Sequence, residues 1–455
     1  MSSEKERAHL KAIGARLLSE ANDLKRTPAA LAQELGWDLA EIEAVIAGKA
    51  GWKSVDRALR AVASHYPVSL ADLWVDRDDT IDGVLTMEAQ PSLASARIFD
   101  RPDREKLLRP YYEYRDTAMS RTGPFKPEWI KTLREVNDSD PYNPDIAFNR
   151  GHLLHQLTFF IGPVNFYWEI NGRRYSAEMN TGDSNYITPF VPHSFASRDE
   201  TKTTLIIAVT YAGAVRGALG EIARVGAANI SEIAGNPREL GAAFKNRLER
   251  ILAMESLEPE NFIQCLIDSG LSESRAKSII SGSPVSLDEI DVCAAVLGVR
   301  PSDLLVSDTP EDQDVIIHQM DQNAARPYPN TNDPTYILRP LARTPRQPYL
   351  KAFDLEISSR NGVQMRHGLH QYLYNYGDMP VTLSWNDGHQ ALLEPGSSAY
   401  LRPMVRHSLS RNSEKQSGKL LMVRIPGFIT DAVLDEFATF GPRRTSVTGE
   451  TETWF

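Results

Sequence analysis

Apolar residues recur three and four positions apart through residues 8–75 and again through 240–306, whereas the stretches that follow change to short runs rich in aromatic and β-branched residues. In LKAIGARLLSEANDL (10–24), TPAALAQELGW (27–37), LAEIEAVIAG (39–48) and VDRALRAVASHY (55–66) the apolar positions fall on one face of a helix. Thr27-Pro28 marks a helix start, with threonine as N-cap and proline at the first helical position. The first helical series closes in VSLADLWV (68–75) and the second in VRPSDLLV (299–306), and both resemble helix-turn-helix modules. The runs LHQLTFFIG, VNFYWEI, RRYSAEM, SNYITPF and TTLIIAVTY between 154 and 211 predict strands separated by turns such as Asn171-Gly172 and Thr181-Gly182. Short strands at this spacing indicate a sandwich or barrel. Residues 76–140 read as a long irregular connection, and 307–345 as a shorter one.

The chain repeats itself. His152, Gln156 and Gly162 recur 215 residues later as His367, Gln371 and Gly377, and Gly182, Tyr186 and His193 recur 214 residues later as Gly396, Tyr400 and His407. Two separate motifs with one offset define a tandem duplication. The expected fold is α+β: each unit an all-α helix-turn-helix-like module followed by a jelly-roll β-barrel. The expected division is module 1 at 1–80, barrel 1 at 81–235, module 2 at 236–310 and barrel 2 at 311–455.

Composition narrows the function. Fifty Lys and Arg against sixty Asp and Glu give a net charge of -10, which disfavours a nucleic-acid binder. Two cysteines, Cys265 and Cys293, make neither a disulfide framework nor a zinc knuckle and suit a reducing compartment. The charged start MSSEKERAHLKAIG has no signal core, and the longest apolar stretch, around Leu205–Val215, is too short to span a bilayer. A cytoplasmic protein without membrane partners is expected; a homo-oligomer is left open.

His152 and Gln156 are four apart on a predicted strand and share a face, which turns His155 the other way. His193 follows 37 residues after Gln156 at a strand end that a barrel can bring back beside the first. Two imidazoles and one oxygen donor leave coordination positions open, an arrangement suited to iron(II) oxygen chemistry. The amide of Gln156 is neutral where such sets usually carry a carboxylate, so the site is more electropositive and favours anionic substrates.

A helix-turn-helix module followed by a barrel with FNRGHLLHQ (148–156) and VPHSF (191–195) resembles the phosphonate-processing cupin iron oxygenases over nearly the whole chain. The epoxidase branch has His-x3-Glu before the VPH histidine. The hydroxyethylphosphonate dioxygenase branch takes its carboxylate from an EP step, which is Thr188-Pro189 here. The methylphosphonate-forming branch has glutamine at the carboxylate position, and the pattern here is most similar to it. The resemblance implies Fe(II) held by His152, Gln156 and His193, and a phosphonate held by Asn149, Tyr114 and Lys25. Lys106 stands eight residues before Tyr114, where the family has arginine. It further implies that 2-hydroxyethylphosphonate and O2 give methylphosphonate and carbonate, or hydroxymethylphosphonate and formate along the dioxygenase branch. His367, Gln371 and His407 keep the ligand spacing, but Gln364 replaces the asparagine and LEPENF (257–262) offers no lysine, so this second set reads as a degenerate, vestigial site. A helix-turn-helix/cupin transcriptional regulator is the rival from another class, opposed by the net charge and by the acidic, apolar helix LAEIEAVIAG. A cupin isomerase, or an oxygenase acting on another small anion, is a third reading.

Overall fold

The computed structural model describes residues 4–199, 201–234, 240–306, 313–322, 324–386, 388–413 and 416–449. The boundaries expected at 235/236 and 310/311 lie outside the described residues. The chain forms two compact units, one of residues 1–211, 317–343 and 349–455, the other of 212–316 and 344–348.

The first unit opens with five helices: α1 (Glu4–Asp23), α2 (Pro28–Leu35), α3 (Leu39–Ile46), α4 (Trp52–His65) and α5 (Leu70–Leu73). Thr27 caps α2 by accepting the Ala30 N–H at 3.1 Å, and Gly36 closes it in the left-handed conformation at φ 68. The predicted apolar faces meet in a core of Leu10, Ile13, Leu17, Val45, Val55, Leu59, Val62 and Leu73 and in a smaller cluster of Ala21, Leu31, Ala32 and Ile42. Gly14 allows α1 and α3 to touch, since a Cβ there would lie 2.2 Å from Ile46 O.

The strands of the earlier half are β1 (Val84–Met87), β2 (Arg97–Pro102), β3 (Leu108–Arg115), β4 (Phe125–Thr132), β5 (His155–Ile161), β6 (Val164–Ile170), β7 (Arg173–Met179), β8 (Ser184–Ile187), β9 (His193–Ser197) and β10 (Leu205–Tyr211). Those of the later half are β11 (Val315–His318), β12 (Arg326–Tyr328), β13 (Tyr336–Pro340), β14 (Lys351–Ile357), β15 (His370–Asn375), β16 (Val381–Trp385), β17 (His389–Leu393), β18 (Ser398–Leu401), β19 (His407–Arg411) and β20 (Gly418–Ile425). One seven-stranded sheet runs β11-β8-β5-β10-β4-β3-β2 and the other β1-β18-β15-β20-β14-β13-β12; two three-stranded sheets run β7-β6-β9 and β17-β16-β19. The large sheets thus have the same order, except that β1 of the earlier half pairs with β18 of the later one. Every strand pair described in these sheets is antiparallel.

Each large sheet buries its inner face against a small one. In the earlier half Phe160 meets Phe166 and Phe195 across this gap. In the later half Leu355, Leu373 and Met422 pack with Leu383 and Leu409. The outer faces of the large sheets meet each other: Trp129 Nε1 donates to Tyr374 Oη at 3.0 Å, and Phe159 packs on Tyr376.

Residues 76–140 are not the irregular connection that the sequence suggested, because they supply β1 to β4. Proline and charge within LRPYYEYR and FKPEWIKT hid the strands. Pro127 is tolerated because β3 pairs with β4 only from Trp129 to Thr132, which leaves an open edge at the proline. The 307–345 connection likewise holds β11, β12 and β13. The β-rich stretch ends at Tyr211, and helices resume at Val215.

The second unit is helical, with a core that includes Leu248, Phe262, Leu266, Ile279, Cys293 and Leu304. Cys265 and Cys293 are free thiols. Among the described residues no helix is long and apolar enough to cross a membrane.

Candidate metal centre

β5 begins at His155, so His152 sits in the turn before the strand rather than on it. Alternation still sorts the side chains. Gln156 points between the sheets and is 3% exposed. His155 turns outward, where it stacks on Tyr186 and Tyr211 and its Nδ1 lies 2.7 Å from Tyr186 Oη; burial lowers its pKa. The turn brings His152 Nε2 to 3.1 Å from Gln156 Oε1, and its ring lies 5.5 Å from that of His193, edge to face. His193 opens β9 and is 5% exposed.

Hydrogen bonds fix the tautomer of His193, whereas His152 faces an acceptor at each ring nitrogen. A carbonyl only accepts, so Nδ1 of His193 donates to Val191 O at 2.9 Å; Nδ1 of His152 lies 2.9 Å from Leu154 O. The neutral His193 ring therefore keeps its lone pair on Nε2, and His152 does so when its proton sits on Nδ1. Gln156 Nε2 donates to Thr158 Oγ1 at 2.9 Å, which turns Oε1 toward His152. With the proton of His152 on Nδ1, its Nε2 and Gln156 Oε1 are two acceptors face to face, a contact that a shared cation would relieve. Burial, opposed in part by the bond to Val191 O and reinforced by the charge of Arg101, pushes His193 down to about 4, so it stays neutral and able to donate its lone pair near pH 7.

The outer edge of β9 is satisfied residue by residue. At His193, Asn149 Oδ1 accepts the backbone N–H at 2.9 Å and Asn149 N–H donates to the carbonyl at 3.1 Å. At Phe195 the Tyr112 hydroxyl accepts the N–H at 2.8 Å and donates to the carbonyl at 3.2 Å. At Ser197 the Arg134 carbonyl and Val136 N–H complete the edge. Edge strands left open attract other strands; here the closure also pins the histidine at the strand's first position. Asn149 reaches the site directly as well, since Nδ2 donates to His193 Nε2 at 3.0 Å.

Tyr114 lies on β3, and burial together with the Glu128 carboxylate pushes its hydroxyl up to about 12. Glu128 is itself raised by burial, an effect partly offset by the nearby His152 imidazole and by the charges of Arg97 and Lys126. The sequence reading missed Arg101, Arg97 and Glu128. They lie on β2 and β4, inside the stretch taken for a connection, so no face could be assigned to them. Lys106 is exposed at the tip of the β2–β3 turn with φ 62. From Leu108 to Tyr114 the strand runs roughly 20 Å, beyond the reach of a lysine side chain. The charge acting on Tyr114 is instead that of Arg101 and Arg97. Neighbouring Arg104 is held by Asp145. Lys25 is exposed in the turn after α1 at φ 59, with Nζ 3.4 Å from Asn22 O.

Known proteins place this arrangement in a class. No protein-family model matches the chain. The structure superposes on a Streptomyces albus 2-hydroxyethylphosphonate dioxygenase, solved with its substrate and Fe(II), with TM-score 0.88 and 34% identity over 98% of this chain and 99% of that one. A shorter stretch of 136 residues, 28% of this chain and 66% of the relative, is 28% identical to (S)-2-hydroxypropylphosphonic acid epoxidase of Streptomyces wedmorensis. Over 451 residues, 97% of this chain and 95% of the relative, the sequence is 37% identical to methylphosphonate synthase of Nitrosopumilus maritimus strain SCM1. The chain belongs to the methylphosphonate synthase family of phosphonate-processing oxygenases.

Proposed function

We propose that the protein is a non-haem iron(II) oxygenase that converts 2-hydroxyethylphosphonate and O2 into methylphosphonate and carbonate. The reaction balances without an added reductant, since the carbon that leaves as carbonate supplies both the electrons that reduce O2 and the one that, with a hydrogen, turns the phosphonate-bearing carbon into methyl. The observation that carries the reading is the convergence of two Nε2 lone pairs and an amide oxygen in a polar gap between two sheets. The donor set suits a divalent metal with positions left for oxygen and substrate. Iron bound there would supply the redox chemistry and a common meeting place for O2 and the substrate hydroxyl.

In this reading the architecture is a duplicated helix-turn-helix-like module and cupin barrel, with the working centre in the first barrel. His152, Gln156 and His193 hold the metal. Asn149 turns its amide from His193 to the phosphonate once the lone pair is taken. Tyr114, protonated throughout the physiological range, donates to a phosphonate oxygen. Arg101 takes the cation role first given to Lys106, and Lys25 supplies a further cation. Gln156 adds no charge, so a dianionic substrate meets less repulsion than it would beside a carboxylate.

The match to the Streptomyces albus dioxygenase supports a second outcome, cleavage to hydroxymethylphosphonate and formate. Phosphorus NMR of the product from iron-loaded protein and 2-hydroxyethylphosphonate separates the two. A methylphosphonate signal is expected. A hydroxymethylphosphonate signal overturns the synthase reading, and an unchanged substrate signal overturns both.

A further inference from the structure

The two ligand-type sets carry the same glutamine but use its amide differently. Gln156 Nε2 donates to Thr158 Oγ1 at 2.9 Å, so the amide is held by a hydroxyl of its own strand. Gln371 Nε2 instead donates to His407 Nε2 at 3.0 Å. His407 Nδ1 donates to Val405 O at 3.0 Å, so this bond occupies the lone pair with which the imidazole would bind a metal. Leu373 stands two residues beyond Gln371, where the earlier set has Thr158, and its side chain offers no acceptor. The Gln371 oxygen is taken as well: Arg424 Nε donates to it at 2.9 Å, at the register position where the earlier half has Thr210.

The exchange extends to the neighbouring strand. Thr158 pairs with Asn185 of β8, and Leu373 pairs with Ala399 of β18 at the same register position. Residues directly opposite in an antiparallel pair share a face, so Asn185 and Thr158 lie with Gln156 between the sheets. All four residues of these two pairs are fully buried. Burying polar side chains is costly, and Asn185 keeps both of its side-chain polar atoms without a hydrogen-bond partner. Leucine and alanine fill the same place in the later half, so packing alone does not call for the polar pair. Metal binding by an amide does call for a partner. A carboxylate presents two equivalent oxygens, whereas an amide turned by half a rotation presents an N–H, which repels a cation. A hydrogen bond from the N–H also polarises the carbonyl and strengthens it as a donor.

We infer that Thr158 is the positioning residue that makes Gln156 a metal ligand. Its hydroxyl holds the amide N–H, fixes the oxygen toward the metal position and leaves the His193 lone pair clear of the glutamine. Leu373 withdraws that support from Gln371, whose N–H then caps His407. The inference rests on the iron centre proposed above.

Anaerobic competition between the full-length protein and a chelator for Fe(II) reads the effect without turnover, and so independently of which phosphonate product forms. Thr158→Val, which removes the hydroxyl and keeps the shape, is expected to weaken Fe(II) binding by about tenfold or more, and Thr158→Ser to stay within about threefold of wild type. In a Gln156→Glu background, where either oxygen can coordinate, Thr158→Val is expected to cost no more than about threefold. Should Thr158→Val fail to fold by circular dichroism, Thr158→Ala takes its place in both backgrounds. Wild-type affinity in Thr158→Val overturns the inference. So does an equal loss in the glutamine and glutamate backgrounds, which marks a packing effect, or a Thr158→Ser variant as weak as Thr158→Val. A wild-type chain that takes up no iron overturns the metal centre itself, and the inference with it.

Discussion

Removing the hydroxyl of Tyr112 should loosen the proposed metal centre without touching it. Tyr112 is 6% exposed, and its Oη both donates to Phe195 O at 3.2 Å and accepts Phe195 N–H at 2.8 Å. Tyr112→Phe leaves both backbone groups on the β9 edge unpaired. At roughly 1–3 kcal/mol for each buried unsatisfied group, and allowing for some relaxation, the loss is about 2–4 kcal/mol. A melting shift on the order of 5 °C or more follows. His193 lies two residues along the same strand, so its imidazole loses one of the anchors that aim it. Supporting groups of this kind typically change metal affinity about 10–100-fold, and a loss in that range is expected. The later half contains an internal control. Tyr336 Oη accepts Leu409 N–H at 3.0 Å and shares its proton between Leu409 O at 3.0 Å and Val363 O at 2.9 Å, in the same relation to His407. Tyr336→Phe should destabilise the fold by a similar amount and leave iron affinity within about twofold. Differential scanning calorimetry and chelator competition for Fe(II) read the two quantities separately. Equal loss of iron affinity in both variants, or none in Tyr112→Phe despite the lowered melting point, would refute the reasoning.

Three further outcomes are expected. Arg101→Gln should raise KM for 2-hydroxyethylphosphonate by about tenfold or more, since a charge-assisted contact is worth roughly 1.5–3 kcal/mol, whereas Lys106→Gln should leave it within about twofold in steady-state kinetics. Stripping the metal with a chelator should abolish turnover but leave the far-ultraviolet circular dichroism unchanged, because Leu154, Val191, Thr158 and Asn149 already hold the three side chains; Fe(II) should restore activity. Burial pushes His370 down to about 4, below its ordinary value near 6.5. The unfolded chain therefore binds the extra proton between these values, and this contribution to stability is full above about pH 6.5 and is lost as the pH falls to about 4. Urea titrations across that range should show His370→Gln flattening the decline, and an unchanged slope would count against it.

Much of this protein was legible in one dimension. Helical spacing and the Thr27-Pro28 start gave the first module, because an amphipathic period and a cap are local properties. The constant offset between GHLLHQ and RHGLHQ located both sets of ligand-type residues before any contact was known. Alternation separated Gln156 from His155, and the structure turns them to opposite faces. The tertiary structure decided what depends on partners distant in sequence. Strands β2 and β4 acquire their faces only by pairing, so Arg101 and Glu128 could not be placed from a stretch broken by proline and charge, and the sequence offset of Lys106 from Tyr114 misled because a turn tip lies far from the strand's other end. The two sets share their spacing, yet the first leaves lone pairs converging where the second inserts Arg424. That difference rests on which carbonyl or N–H each imidazole meets, and on an arginine more than fifty residues after Gln371, neither of which the spacing of the ligands encodes.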